Sequence, residues 1–200
     1  MQNHRIYLFS KIFWSYVGQV TMVYRIVDLV ECRKATLDWL KKEDIPEVVE
    51  ALNDVIREGK YLFMNNEVTD MEQELQWFER GTQEGMCYLV ARIDGEVAGG
   101  ASIHLKTDKR AHVASYGIFI GKNYRNLGLG TKLTRELIDI AKTKGVEILQ
   151  LSVYATNERA FHVYKKCGFK DAGRLTHGIK FLDGSYTDEI LMELLLKQTM

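Results

Sequence analysis

Features that would place a chain in a specialised class are scarce in these 200 residues. The three cysteines, Cys32, Cys87 and Cys167, are an odd number without the paired spacing of a zinc site, so we expect neither a disulfide framework nor a bound metal. The 27 basic side chains only balance the 27 acidic ones, whereas a nucleic-acid-binding domain usually carries a basic face. We therefore expect a small-molecule or protein partner rather than nucleic acid, in a reducing cytoplasm.

The chain also lacks an uninterrupted apolar run of the roughly 20 residues that cross a membrane. The most apolar stretch lies near the N-terminus, where Lys11 interrupts it and no small-residue cleavage site of a signal peptide follows. Its apolar residues recur at helical spacing, at Ile6, Phe9, Phe13, Val17 and Val20. We interpret residues 1–33 as an extension that contains an amphipathic helix, docked on the domain or on a second copy in a homodimer. The alternative is that Met22 is the true start and that residues 1–21 do not belong to the native protein. A role at a membrane is not expected.

A glycine turn between a strand pattern and a helix pattern is the most informative feature that the chain does contain. Residues 113–120 are rich in β-branched and aromatic side chains and predict a strand, and a helical apolar pattern begins at Leu129. Gly128 and Gly130 let the backbone approach a ligand, and the free N–H groups of a first helical turn favour an anion. Arg125 adds a cation with forked donors. The turn is therefore predicted to bind a pyrophosphate.

The spacing distinguishes this turn from two other phosphate-binding motifs. A dinucleotide fingerprint has Gly-x-Gly-x-x-Gly with an acidic residue about twenty positions later, but Arg125 stands where its first glycine would be. A nucleotide-triphosphate loop has Gly-x-x-x-x-Gly-Lys followed by Ser or Thr, and the chain contains no such string. The remaining alternative is a helix start that needs its glycines only to turn the backbone.

Two motifs together carry a resemblance to a known family. Arg125-x-x-Gly128-x-Gly130 after a strand is similar to the acetyl-CoA signature of the GNAT superfamily of N-acetyltransferases. A second block resembles the family's Asn-x-x-Ala-x-x-x-Tyr-x-x-x-Gly-Phe segment at Asn157, Ala160, Tyr164, Gly168 and Phe169. The resemblance covers residues 35–196. The tail over 178–192 looks like the ending shared by small-amine, polyamine and ribosomal-protein acetyltransferases, and does not choose among them.

The residue patterns predict an α/β fold, with one domain over residues 34–200. The expected order is strand, two helices, three strands, helix, strand, helix and two strands, with Asp44 as the cap of the first helix and Asp94-Gly95 as a hairpin turn. This order gives a GNAT-like central mixed, twisted sheet of about seven strands with helices on both faces. The strands on either side of the helix after the glycine turn should be parallel. The resemblance implies that these two strands splay apart and that pantetheine inserts between them.

The resemblance further implies that acetyl-CoA is the cosubstrate, bound without a metal, and assigns residues to each part of it. Main-chain groups of Ile118, Phe119 and Ile120 pair with the pantetheine arm, and the amide of Asn157, which also suits a helix cap, aids them. The pyrophosphate binds the turn formed by Arg125, Asn126, Leu127, Gly128, Leu129, Gly130 and Thr131.

Tyr164 is the predicted general acid. It falls on the same helical face as Asn157, Ala160 and Phe161. Attack of a neutral amine on a thioester forms an oxyanion, which backbone N–H groups stabilise, and then expels a thiolate, which a phenol can protonate. The alternative for a lone helical tyrosine is a core aromatic side chain whose hydroxyl reaches the surface.

The general base is less well defined by the sequence. Many family members use a glutamate on the central strand, but residues 112–118 include no acidic side chain. The candidates are His112, a water held by Ser115 and Tyr116, and Glu67; for His112, at the beginning of the strand, a structural role is the simpler interpretation. The missing carboxylate leaves two functions open: an enzyme that acetylates a primary amine of a small molecule, protein or peptide, or a non-catalytic acyl-CoA-binding sensor or assembly module.

Selection of the acceptor is expected in two connections, over 61–70 and 183–188, because such loops carry specificity. An apolar wall is predicted from Tyr61, Phe63, Met64 and Trp77. A cation, such as a polyamine, a lysine side chain or a peptide N-terminus, would be attracted by Glu67, Asp70, Asp183, Asp188 and Glu189.

Overall fold

The computed structural model describes residues 24–197, which form one mixed sheet of eight strands with four α-helices. The strands are β1 (Arg25–Asp28), β2 (Lys34–Trp39), β3 (Cys87–Ile93), β4 (Glu96–Leu105), β5 (Val113–Ile120), β6 (Ile148–Tyr154), β7 (Lys170–Lys180) and β8 (Tyr186–Leu195). The helices are α1 (Ile45–Arg57), α2 (Met71–Gln83), α3 (Leu129–Thr143) and α4 (Glu158–Lys166). The strand order is β1-β2-β3-β4-β5-β6-β8-β7, and only the β5–β6 pair is parallel among these strands.

The predicted α/β fold is confirmed, with eight strands where about seven were expected. Asp94-Gly95 turns the β3–β4 hairpin with φ values of 54° and 89°, as a two-residue hairpin loop requires. The strand that the sequence did not show is β1, which pairs antiparallel with β2 at the edge of the sheet. Four residues are too few to display a periodic pattern. The N-terminal helix pattern and Met22 lie outside the described residues.

The first helix begins where predicted, but Asp44 does not cap it with its side chain. Its carboxylate instead accepts a hydrogen bond from the Lys41 N–H at 2.9 Å and another from Arg92 of β3, also at 2.9 Å. Asp70, by contrast, does cap α2 by accepting from the Gln73 N–H at 3.0 Å. The Asp44 carboxylate therefore pairs with the guanidinium of Arg92 instead of capping α1, the role that the local sequence predicts for it.

Helices cover both faces of the sheet, and the alternating side chains of β5 contribute to both cores. Tyr116 belongs to the core beneath α3 and α4, together with the fully buried Leu133 and Phe169. Phe119 belongs to the core beneath α1 and α2, together with Val48. β5 therefore separates two core compartments, and a cavity lies on each of its two sides. None of the helices between residues 24 and 197 is long and apolar enough to span a membrane.

Candidate active site

A cleft opens where β5 and β6 stop pairing. The two strands are bonded only from Val113 to Ser115 on β5, although β5 continues to Ile120 and β6 to Tyr154. Backbone groups alternate in direction along a strand, so past Ser115 those of β5 that face β6 have no partner in that strand. The cleft has a volume of about 570 Å³, and it is the splay that the resemblance implies.

Most of the residues predicted to bind acetyl-CoA line this cleft. They are Ile118, Phe119, Ile120, Arg125, Asn126, Gly128, Leu129, Gly130, Thr131 and Asn157, and the predicted acid Tyr164 lines it as well. Leu127 differs, because its side chain is buried in the core and its carbonyl accepts a hydrogen bond from the Val30 N–H at 3.1 Å. The structure thus brings the two sequence motifs together around one opening.

The two glycines of the turn serve different purposes. Gly128 has a φ of +83°, which side chains other than glycine rarely adopt, and α3 begins at the next residue. Gly130 has no such constraint, and a Cβ placed on it would meet nothing closer than the Val163 side chain at 3.9 Å. The first helical bond runs from the Lys132 N–H to the Gly128 carbonyl at 3.2 Å. The N–H groups of the preceding helical residues are therefore available to an anion in the cleft.

Arg125 is held by the protein rather than extended into open solvent. Its guanidinium forms a two-pronged ion pair with Glu58, just beyond α1, and lies 4.6 Å from the centre of the Tyr61 ring. Its Nε donates to the Ile120 carbonyl at 3.1 Å. Only 11% of the side chain is exposed. Arg125 therefore joins the turn to the start of the α1–α2 connection, and pyrophosphate binding by this side chain stays a prediction.

The Arg125–Glu58 ion pair should stabilise the fold in a pH-dependent way. Hydrogen bonds from Arg125 lower the pKa of Glu58. The pair therefore stabilises the folded state above the ordinary glutamate pKa of about 4.3, and this contribution is lost as the pH falls towards the lowered value. We expect Glu58→Gln to reduce the free energy of unfolding by about 1 kcal/mol at pH 7. At about pH 3 the free energy of unfolding of the variant should approach that of the wild type.

Urea unfolding at the two pH values measures this difference. Glu79→Gln is the control, because Glu79 forms an exposed ion pair with Lys42 and such pairs contribute little. An equal loss for Glu58→Gln at both pH values would show that its charge is not what stabilises the turn.

The α4 residues of the second motif are placed at the other wall of the cleft. Asn157 caps α4, since its Oδ1 accepts from the Ala160 N–H at 3.2 Å, and it is one of the residues that line the cleft. The Tyr164 ring packs edge-on against Tyr116, with ring centres 6.0 Å apart. Burial raises the pKa of Tyr164, so its hydroxyl keeps its proton at neutral pH. Both the cap and the cofactor role proposed for Asn157 are geometrically compatible.

A second cavity of about 410 Å³ lies on the other side of β5, between the sheet and the helices α1 and α2. It shares Gly117, Ile118, Phe119 and Leu62 with the first cleft. We call it the acceptor cavity, because a molecule bound there would reach the same stretch of β5 as a molecule bound in the cleft.

The predicted apolar wall is divided between the two cavities. Met64 and Trp77 line the acceptor cavity, whereas Tyr61 and Phe63 line the cleft. The connection over 183–188 lines neither cavity. Of its acidic side chains, Asp188 is engaged by Arg174 at 2.7 Å and Asp183 by the Ser185 N–H at 2.9 Å.

None of the predicted candidates for the general base lines the acceptor cavity. His112 is exposed just ahead of β5, away from the splay. Glu67 forms an ion pair with Arg57 at 2.9 Å. The Tyr116 hydroxyl is hydrogen-bonded at 2.8 Å to a threonine of the core. Ser115 is the last residue of β5 that pairs with β6, and it lines neither cavity.

Sequence reasoning overlooked two polar residues of the acceptor cavity, Glu74 on α2 and Tyr88 on β3. A signal was present, because Glu74 lies three residues before Trp77, on the half-buried face of its helix. An acidic residue within an apolar helical face indicates a side chain that faces the protein interior.

Comparisons with known proteins agree with this geometry. Residues 35–169 match the model of the acetyltransferase (GNAT) family. The chain is 36% identical over 121 residues to the L-amino acid N-acetyltransferase AaaT of Escherichia coli (strain K12), which covers 58% of this chain and 73% of that protein.

Solved structures show the same fold. The crystal structure of the acetyltransferase of GNAT family from Streptococcus pneumoniae superposes with a TM-score of 0.75 at 30% identity, covering 80% of this chain and 99% of the other. The structure of yncA from Salmonella typhimurium, solved with its cofactor acetyl-CoA, superposes with a TM-score of 0.75 at 24% identity, covering 83% and 96% of the two chains. The second likeness concerns the fold alone.

Proposed function

Because the chain belongs to the GNAT family of acetyltransferases, we propose that it transfers an acetyl group from acetyl-CoA to the primary amine of a small molecule. The observation that carries the proposal is the shared wall of the two cavities, formed by Leu62 and by Gly117, Ile118 and Phe119 of β5. A donor in one cavity and an acceptor in the other would meet there without a covalent enzyme intermediate. Since the family is one of acyltransferases, the non-catalytic alternative is set aside.

The residues of the cleft fit acetyl-CoA in three places. The N–H groups at the start of α3 and the space beside Gly130 suit a pyrophosphate. The backbone groups of β5 that β6 leaves unpaired suit the two amides of pantetheine, which can add to a strand edge as a peptide does. Tyr164 lies on the facing wall, where it suits the thioester end. No basic side chain other than Arg125 is needed for this arrangement.

Acetyl-CoA supplies the acetyl group as an activated thioester. Backbone N–H groups of β5 at the splay stabilise negative charge that develops on the carbonyl oxygen. The neutral amine forms the C–N bond as the C–S bond breaks, and the Tyr164 hydroxyl donates its proton to the departing sulfur. The proton that the amine nitrogen loses then restores the Tyr164 hydroxyl, directly or through water. Burial raises the pKa of this hydroxyl, so it carries its proton at neutral pH.

Calorimetric titration with acetyl-CoA, followed by an assay of CoA release with a panel of amines, tests the proposal. The panel should include a polyamine, a peptide with a free N-terminus, L-amino acids and apolar monoamines. We expect a Kd for acetyl-CoA between about 1 μM and 1 mM and release of CoA only when an amine is present. Failure of the folded protein to bind acetyl-CoA would overturn the proposal.

A further inference from the structure

The acceptor cavity has an apolar body and one acidic end. Its wall is formed mainly by aliphatic and aromatic side chains, including Ile45, Val48, Leu52, Leu62, Met64 and Trp77. The polar side chains on its lining are Glu74, Tyr88 and Ser102, and no basic side chain lies among its lining residues. An occupant would therefore meet one negative charge, two hydroxyl groups and otherwise mainly apolar side chains.

Glu74 lacks a cationic partner within the protein. No lysine, arginine or histidine nitrogen between residues 24 and 197 lies within 4.0 Å of its carboxylate, in contrast to Glu58, Glu67 and Glu79. Burial raises the pKa of Glu74, in agreement with the lack of a cation beside it. A charged carboxylate beside an apolar cavity raises the free energy of the folded protein unless a cation pairs with it.

The Tyr88 hydroxyl lies next to β5, in the space that Gly100 leaves because it has no side chain. A Cβ placed on Gly100 would lie 2.6 Å from the Tyr88 hydroxyl oxygen and 2.9 Å from the Phe119 ring. Gly100 pairs with Phe119 in the sheet, and Phe119 lines both cavities. The hydroxyl thus lies beside the shared wall. In the described part of the chain it makes no hydrogen bond to another side chain or to the backbone, so it is free to bond an occupant.

We propose that Glu74 binds the ammonium group of the acceptor, that the Tyr88 hydroxyl orients its nitrogen towards β5, and that the acceptor is a monoamine with an uncharged apolar body. This inference rests on the proposed acetyltransferase function and narrows its substrate class. Glu74 is thereby a specificity-determining residue of the acceptor cavity.

The charges of the cavity argue against two other classes of amine. The carboxylate of a free amino acid would lie within a few ångströms of Glu74 with no basic side chain on the lining to compensate it. Glu74 is the one acidic side chain among the lining residues. If it paired with the first ammonium of a diamine, the second ammonium would lie against the apolar wall without a partner. A monoamine leaves no charge unpaired.

Comparison of 2-phenylethylamine with L-phenylalanine tests the substrate class, because the two differ only by a carboxylate. We expect kcat/KM for 2-phenylethylamine to be at least about tenfold higher than kcat/KM for L-phenylalanine, and at least about tenfold higher than kcat/KM for 1,4-diaminobutane. A higher kcat/KM for L-phenylalanine or for the diamine would overturn the monoamine class and leave the acetyltransferase function intact.

Glu74→Gln tests the role of the carboxylate. We expect the KM for 2-phenylethylamine to rise by about ten- to a hundredfold and the KM for acetyl-CoA to stay within about twofold, because Glu74 does not line the cleft. Glu72→Gln is the matched control, since Glu72 is exposed on the same helix. An unchanged amine KM in Glu74→Gln would overturn the inference.

Direct binding separates this inference from the proposed function. In calorimetry, wild type should bind 2-phenylethylamine and Glu74→Gln should bind it about tenfold more weakly, whether or not turnover occurs. Equal binding by the two proteins would contradict the role of Glu74. Binding of both acetyl-CoA and the amine without any CoA release would instead contradict the proposed function.

Discussion

Replacement of Tyr164 by phenylalanine is expected to lower kcat by about a hundredfold or more, while the affinity for acetyl-CoA stays within about twofold. The hydroxyl lines the cleft on the α4 wall and can protonate a departing sulfur, and burial raises its pKa. Phenylalanine keeps the ring that packs against Tyr116 and Phe169. The effect should therefore appear in turnover and not in stability.

Steady-state kinetics and acetyl-CoA calorimetry on the same preparation measure the two quantities. Tyr186→Phe is a suitable control, because Tyr186 is exposed at the start of β8 and lines neither cavity. Wild-type turnover by Tyr164→Phe would remove this side chain from the chemistry. The proton for the sulfur would then come from another group of the cleft, such as His162 or Lys166, or from water.

Gly130→Val is expected to weaken acetyl-CoA binding by about ten- to a hundredfold without unfolding the protein. A Cβ at this position meets no atom closer than the Val163 side chain at 3.9 Å, and Gly130 lines the open cleft, so we expect the fold to accommodate the side chain. That room is part of the cleft, and the added methyl groups would stand in front of the N–H groups at the start of α3. Loss of one charge-assisted hydrogen bond of about 1.5–3 kcal/mol corresponds to this range of affinities.

Calorimetry measures the Kd of Gly130→Val, and thermal unfolding checks its fold. Asp139→Val is the matched control, because it adds the same side chain to an exposed position of α3 far from the turn. Gly128 is less informative, since its φ of +83° would make any substitution destabilising. Undiminished acetyl-CoA affinity in Gly130→Val would mean that the pyrophosphate binds elsewhere.

Features that depend on neighbouring residues were predicted well from the sequence. The Asp94-Gly95 turn and the glycine turn before α3 each follow from the backbone preferences of a few consecutive residues. The strand β1 was not predicted, because four residues at a sheet edge have no pattern that distinguishes them from a loop. The side chain of Asp44 was wrongly assigned to its own helix, because Arg92, 48 residues away, provides a stronger partner.

Pairings between distant residues could not be predicted in the same way. Arg125 and Glu58 are separated by 67 positions, and nothing in the sequence near either one indicates the other. Glu74 and Tyr88 meet in one cavity only because α2 packs on the face of the sheet where Gly100 leaves a space. The predicted bases His112 and Glu67 suit the chemistry by residue type, but the fold places both away from the acceptor cavity.

The sequence by itself determined the α/β fold, the family and the location of the acetyl-CoA motifs, because a turn, a cap or an amphipathic helix depends on a short stretch of backbone. Only the tertiary structure decided that Arg125 is held by Glu58, that β5 forms the wall between two cavities, and that Glu74 and Tyr88 face the acceptor side. These features depend on how helices pack on a sheet. Packing brings together side chains whose separation along the chain carries no information about their distance in space.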